Sequence, residues 1–250
     1  MMRRGGGRGS ILVVAALVAL ATGCAPAPSQ PPAAALDTVE VLPAIAEAPA
    51  PPAPPSLHSS SIERVARQLT VRVRTRGCGR LGTASAVAVG PRLLVTNRHV
   101  VVGADELELN YWDGTSARAH LDALAVADDL ALVKVSLRLP AVARLAVSDP
   151  ADGAAVLVVG YPNGGEQMVE RGEVVEYARL REPKDASAVM RVTAHIVPGN
   201  SGGAVVDRRG DLVGVVFGVE TETGYGLAIP ASAVRMLLAD GGTGPVEGCR

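Results

Sequence analysis

The chain has 250 residues and a net charge of -1, with 24 Lys and Arg set against 25 Asp and Glu. So even a balance gives no electrostatic footprint for nucleic acid. Aromatic residues make up 2% of the chain, too few to line a carbohydrate or base-stacking groove.

In chain order, the first ten residues carry three arginines and no acid, and an apolar run at residues 11–21 leads into Thr22-Gly23-Cys24. A basic head, a short apolar stretch and small residues read as an export signal over residues 1–24. The run is about half of the ~20 residues needed to span a bilayer. Arg3-Arg4 hints at a twin-arginine signal, but nothing after it supports one. Ala21-Thr22-Gly23-Cys24 resembles a bacterial lipobox, with Ala21 where leucine is usual. A lipid on Cys24 would hold the protein at a membrane surface; ordinary cleavage nearby is the alternative. Residues 25–58 are dominated by Pro, Ala and Ser. They cannot bury enough apolar surface to offset their ordering entropy and read as a stalk.

Roughly 190 residues remain from Ser59 onward, enough for one sizeable domain or two packed lobes. A short helix is expected at 59–67, with Ile62, Val65, Ala66 and Leu69 on one face. About a dozen short β-type runs follow, beginning at 70–75, 85–89 and 93–96 and ending at 212–218 and 226–229. Turn signals such as Gly90-Pro91, Asp113-Gly114, Asp152-Gly153 and Arg209-Gly210 separate them. That pattern predicts an all-β sandwich or a pair of barrels. A closing helix is expected at 231–239, burying Val234, Leu237 and Leu238.

The most informative string is Pro198-Gly199-Asn200-Ser201-Gly202-Gly203. A serine among glycines can sit on a tight turn where its own N–H and a neighbour's converge on one spot, supplying nucleophile and oxyanion hole together. The same G-x-S-x-G pattern marks the nucleophile elbow of α/β-hydrolases. Chain order separates the two. No histidine follows Ser201, so a late base is missing; the four histidines are His58, His99, His120 and His195. The only aspartate before His99 is Asp37, within the stalk. The order His…Asp…Ser remains: His99 after an apolar strand, Asp129 opening the run Leu130–Val135, and Ser201. Asp128 rivals Asp129, and a turn role suits it better. A buried aspartate would hold the imidazole in one tautomer, and His99 would shuttle the proton between Ser201 and the leaving amine.

The segments TNRHVV, DDLALV and PGNSGG, in this order, resemble the trypsin-like serine proteases, and within them the bacterial high-temperature-requirement branch. Cys78-Gly79-Arg80 and the terminal Cys249 further resemble the acid-resistance periplasmic proteases of actinobacteria. The resemblance covers about residues 65–249. It implies a double six-stranded β-barrel, with His99 and Asp129 from the first barrel and Ser201 from the second. It also implies an oxyanion hole from the Gly199 and Ser201 N–H groups and a substrate-pairing edge at Phe217-Gly218-Val219. Tyr225 and Gly226 would wall the primary specificity pocket. His195, six residues before Ser201, falls where that pocket is lined in the family. It would then favour acidic side chains or low pH, although a solvated or core histidine is the plainer role. No PDZ-like domain is expected after residue 240, and an anchor with its stalk would stand in for a multi-span membrane domain.

Cys78 and Cys249 lie near the two ends of the globular part, and in an exported protein they read as a disulfide. It would close a loop of about 170 residues, stabilising by up to roughly 5 kcal/mol in the chain-entropy model. His120 reads as surface. No cluster has metal-ligand spacing, so neither metal nor cofactor is expected. The expected partner is a protein or peptide substrate, not nucleic acid, with membrane association through Cys24; nothing in the sequence sets an oligomeric state. The leading expectation is an exported serine endopeptidase. An ester hydrolase is opposed by the missing late histidine, and a latent protease fold retained for binding or sensing is the other alternative.

Overall fold

A computed structural model describes residues 39–40, 60–120, 124–127, 129–180 and 188–240. All of them belong to one compact unit, Leu36–Arg250. The export signal, Cys24, Asp128, Cys249 and all of the stalk except residues 39–40 lie outside the described residues.

Helix α1 (Ser60–Leu69) runs two residues past the expected end and buries Ala66 and Leu69. It leads directly into β2 (Thr70–Gly77), which turns back into β3 (Arg80–Gly90). The turn has two residues, Cys78 at φ 48° and Gly79 at φ 69°, the left-handed pair that matches the twist of a tight hairpin. Then come β4 (Leu93–Asn97), the single-turn α2 (Arg98–Val101), β5 (Glu106–Asn110), β6 (Ser116–His120), β7 (Leu124–Ala127) and β8 (Leu130–Lys134). These strands form an antiparallel sheet in the order β6-β5-β2-β3-β4-β8-β7. No pairing between its end strands β6 and β7 occurs among the described residues, so this lobe is a half-barrel rather than the closed six-stranded one expected.

The second lobe is closed. It contains β9 (Ala155–Gly160), a 3-10 turn (Pro162–Gly164), β10 (Met168–Leu180), β11 (Val189–Val192), β12 (Ala204–Val206), β13 (Leu212–Val219) and β14 (Gly226–Pro230). The long β10 pairs with β11 along one stretch and with β9 along another, which joins the ends of the sheet into a six-stranded barrel. Helix α3 (Ala231–Asp240) closes the described chain. Strand β1 (Val39–Glu40) adds to β10, Val39 opposite Leu180. This departs from a wholly unstructured stalk. Val39 and Glu40 lie in the longest proline-free interval of the stalk, residues 33–42, and neither lacks the N–H that a ladder needs.

Three apolar clusters hold the unit together. Val71, Val73, Leu94, Leu107, Leu109 and Val133 fill the concave side of the first sheet. Val156, Val158, Met190, Val192, Val213 and Val216 fill the second barrel. The third lies between the lobes, where Val87, Val95, Leu130 and Leu132 meet Leu157, Val159, Val206, Leu212 and Val215. Burying each such side chain contributes about 1.5–3 kcal/mol, so this shared core fixes the lobes against each other. The catalytic candidates sit where it reaches the surface.

Candidate active site

His99 and Asp129 are neighbours because β4 and β8 pair with Asn97 opposite Leu130. That register sets the residues after Asn97 beside the one before Leu130. The Arg98 N–H donates to the Asp129 carbonyl at 2.9 Å and the Asn97 Nδ2 at 3.2 Å. The carboxylate faces the other way. Its Oδ1 accepts the His99 backbone N–H at 3.0 Å, and its Oδ2 lies 2.6 Å from His99 Nδ1. An ionised carboxylate only accepts, so Nδ1 carries the proton and Nε2 is left as the basic nitrogen. The His99 side chain is 49% exposed and that of Asp129 30%, which leaves the ring open to a ligand on one side.

Ser201 enters from the second lobe on the turn between β11 and β12. Gly199 has φ +96°, and a Cβ there would stand 2.4 Å from the Tyr161 carbonyl oxygen. At Gly202, φ +83°, a Cβ would stand 1.9 Å from the Ser85 oxygen. Only glycine fits either place, which explains why the serine is flanked as it is. The Pro198 carbonyl accepts the Asn163 N–H at 2.7 Å. Across a planar trans peptide the next N–H points the opposite way, so Gly199 N–H faces away from that loop. The Asn200, Gly202 and Gly203 N–H groups all have carbonyl partners. Among the described residues those of Gly199 and Ser201 have none, and two unengaged donors beside a serine hydroxyl suit an oxyanion.

Ser85 on β3 ties this turn to the first lobe. Its N–H donates to the Ser201 carbonyl at 2.8 Å and its hydroxyl to the Gly199 carbonyl at 2.8 Å. That hydroxyl also accepts the Tyr161 N–H at 3.0 Å, and the Ser85 carbonyl accepts the Thr96 hydroxyl at 2.8 Å. Sequence reasoning missed Ser85. The one available signal was a polar residue in the otherwise apolar stretch Ala84–Ala88, buried here on both sides.

The Ser201 hydroxyl donates to the Phe217 carbonyl at 3.5 Å, and no hydrogen bond joins it to His99. Phe217 is the extra residue of a β-bulge, since Val216 opposes Ala228 while Gly218 opposes Leu227. Such bulges re-aim a strand next to a site. Past Val216, β12 no longer pairs with β13, so 217–219 presents an edge without a strand partner among the described residues. Tyr225 immediately precedes β14 and Gly226 opens it; a Cβ on Gly226 would stand 2.5 Å from Ile196 Cγ1.

His195 is not on that wall. It lines a small recess of about 30 Å³ with Met168, Glu170, Val197 and Asn200. Burial alternates here, with Ala194 and Ile196 buried and His195 exposed, so with Ile196 turned to Gly226, His195 turns away. Spacing from Ser201 alone did not reveal that alternation. No group of His, Cys, Asp and Glu able to hold a metal ion occurs among the described residues.

Two antiparallel lobes sharing a core, with a His–Asp pair from one and a glycine-flanked serine from the other, define the chymotrypsin type of architecture. Residues 84–215 match the trypsin-like peptidase domain, and the chain belongs to that family. Within it the chain is similar to HtrA-type serine proteases. It is 29% identical over 206 residues to the serine protease Rv3671c of Mycobacterium tuberculosis, covering 77% of this chain and 51% of that protein. It is 31% identical to the Do-like serine protease HtrA of Bacillus subtilis, covering 60% of this chain and 36% of the relative. The chain thus spans about half or less of the length of these relatives. The crystal structure of the active form of the Rv3671c protease superposes with a TM-score of 0.68 at 26% identity, over 84% of this chain and 98% of that one.

Proposed function

We propose that the chain is an exported serine endopeptidase that cleaves protein substrates through His99, Asp129 and Ser201. The observation that carries this is the oriented His99–Asp129 pair next to a serine turn with two unengaged N–H groups. For catalysis the Ser201 hydroxyl must leave the Phe217 carbonyl for His99 Nε2. Such contacts are commonly loose without substrate. As Oγ attacks the scissile carbonyl, Nε2 takes its proton and Asp129 stabilises the imidazolium. The oxyanion is held by the Gly199 and Ser201 N–H groups. His99 then gives the proton to the leaving amine, and water repeats the sequence on the acyl-enzyme.

The edge at Phe217, Gly218 and Val219 takes the substrate backbone on the acyl side by strand addition. Tyr225, Gly226 and Ile196 shape the first side-chain pocket. In this reading residues 1–24 direct export, Cys24 carries a lipid anchor, 25–58 is the stalk and 59–250 is the protease domain. The disulfide pairs Cys78 with Cys249; in support, Cys78 is disulfide-bonded. A mass shift on reduction and alkylation of the purified protein tests that pairing, and two free thiols would exclude it.

The Ser201–Phe217 hydrogen bond favours a second reading, a latent protease fold that binds peptides without cutting them. Labelling with a fluorophosphonate separates the two. The endopeptidase reading expects covalent modification of wild type and none of Ser201→Ala or His99→Ala. A folded wild type that takes no label would support the latent module.

A further inference from the structure

His99 is one wall of a recess of about 600 Å³ whose lining includes neither Ser201 nor Phe217. Its walls include Gly82, Val102 and Ala104, and its rim carries Arg80 and Leu81. Leu81 is 79% exposed, far more than a leucine of this fold otherwise shows. Among the described residues no Asp or Glu lines the recess. On the other face of the same hairpin the charges are balanced, Arg74 against Glu108 and Arg118 against Glu106. Arg80 has no such partner among the described residues.

The hairpin's hydrogen bonding says what can lie there. Gly77 opposes Arg80 across a two-residue turn, so alternate pairs exchange bonds and Leu81, Thr83 and Ser85 point their N–H and C=O groups away from β2. Ser85 uses its N–H on the Ser201 carbonyl. β4 pairs with β3 only from Val87 onward, leaving Leu81 and Thr83 as an open edge leading away from the nucleophile. A peptide extended along it passes His99 first and Arg80 next.

We infer that Arg80 recognises a peptide carboxylate on the leaving-group side of the scissile bond. The carboxylate is that of a Glu or Asp side chain or the free end of a peptide; a guanidinium fork takes either. This rests on the endopeptidase reading for its catalytic meaning, but the contact itself is a binding event and is measured without turnover.

The test uses Ser201→Ala protein and three dye-labelled Ser/Ala/Gly decapeptides. One has two central Glu residues and an amidated end, the second Gln at those places and an amidated end, and the third Gln with a free carboxylate end. Binding by fluorescence anisotropy at low salt is expected to favour a carboxylate-bearing peptide about two- to fivefold over the Gln amide, the range of an exposed charge pair. The gain is lost in Arg80→Gln and reverses in Arg80→Glu, and added salt weakens it. A gain with the Glu peptide assigns the side chain; a gain confined to the third peptide assigns the chain end. Equal or undetectable binding of all three, or a preference that survives Arg80→Gln, would overturn the inference. Fluorophosphonate labelling of wild type reads the endopeptidase proposal separately, so either can fail alone.

Discussion

The acid–base half of the cleft and the nucleophile half are held in different ways. Asp129 receives four hydrogen bonds, all from Asn97, Arg98 and His99 across one β4–β8 register. That half is complete within the first lobe. Ser201 is held through its backbone, by Ser85 from the opposite lobe, and its hydroxyl makes one long contact. The His99–Asp129 pair is therefore oriented in advance, while the posture of Ser201 depends on how the lobes meet. Damage to the first half should act on chemistry alone, and damage to the second on chemistry and lobe docking together.

The largest effects should come from the side chains that react. Ser201→Ala or His99→Ala is expected to lower peptide hydrolysis by about 10⁴- to 10⁶-fold with unfolding temperature nearly unchanged. Asp129→Asn should lose about 10⁴-fold by allowing the wrong imidazole tautomer. Retention of more than a tenth of wild-type kcat/KM would mean His99 is oriented by something else.

Gly199→Ala tests the nucleophile half through its backbone. The new Cβ meets the Tyr161 carbonyl, so the turn must shift and one oxyanion donor is lost. Activity should fall about 10²- to 10³-fold, mainly in kcat. Ser85→Ala is the milder form of the same break. It leaves the Tyr161 N–H and the Gly199 carbonyl without their partner, costing about 1–3 kcal/mol. Melting temperature and kcat should drop together, while the Nδ1–H proton resonance of His99 stays where it is in wild type. A displaced resonance would show that the halves are not separable.

The smallest effect is expected at Tyr111, deep in the first lobe. Its hydroxyl is buried without a partner, so Tyr111→Phe should be neutral or slightly stabilising at pH 7, as thermal melts can show. Burial, with Asp113 adding to it, pushes that hydroxyl up to about 12. An exposed tyrosine titrates near ~10. The folded state therefore favours the neutral form, whose contribution is present below pH ~10 and is lost as pH rises toward 12. The Phe variant should show less alkaline destabilisation than wild type.

The strand pattern, helices α1 and α3 and the serine turn were legible because each is local. Their signals are period, cap and glycine spacing, all carried within a few residues. What could not be read depends on which strand lies opposite. The orientation of His195 follows from alternation across 194–197 against β14, and the half-open first lobe from a closure that no composition records. Arg191 makes the same point from inside an apolar run. It is 4% exposed and pairs with Glu176 and Glu220, and Glu220 also accepts the Thr223 hydroxyl. The loop that precedes Tyr225 is thus pinned from β11. In sequence, the arginine of Val189–Val192 gives no sign of either partner.

The Ser85 tie has a consequence for how the molecule comes into being. It joins residues more than a hundred positions apart, 114 in the case of Ser85 and Gly199. A chain emerging from its N-terminus therefore makes the His99–Asp129 pair long before Ser201, and the serine turn gains its final posture only when the two halves dock. Molecules cut short before β12 to β14 lack the strands that seat that turn, so the timing is set by chain order.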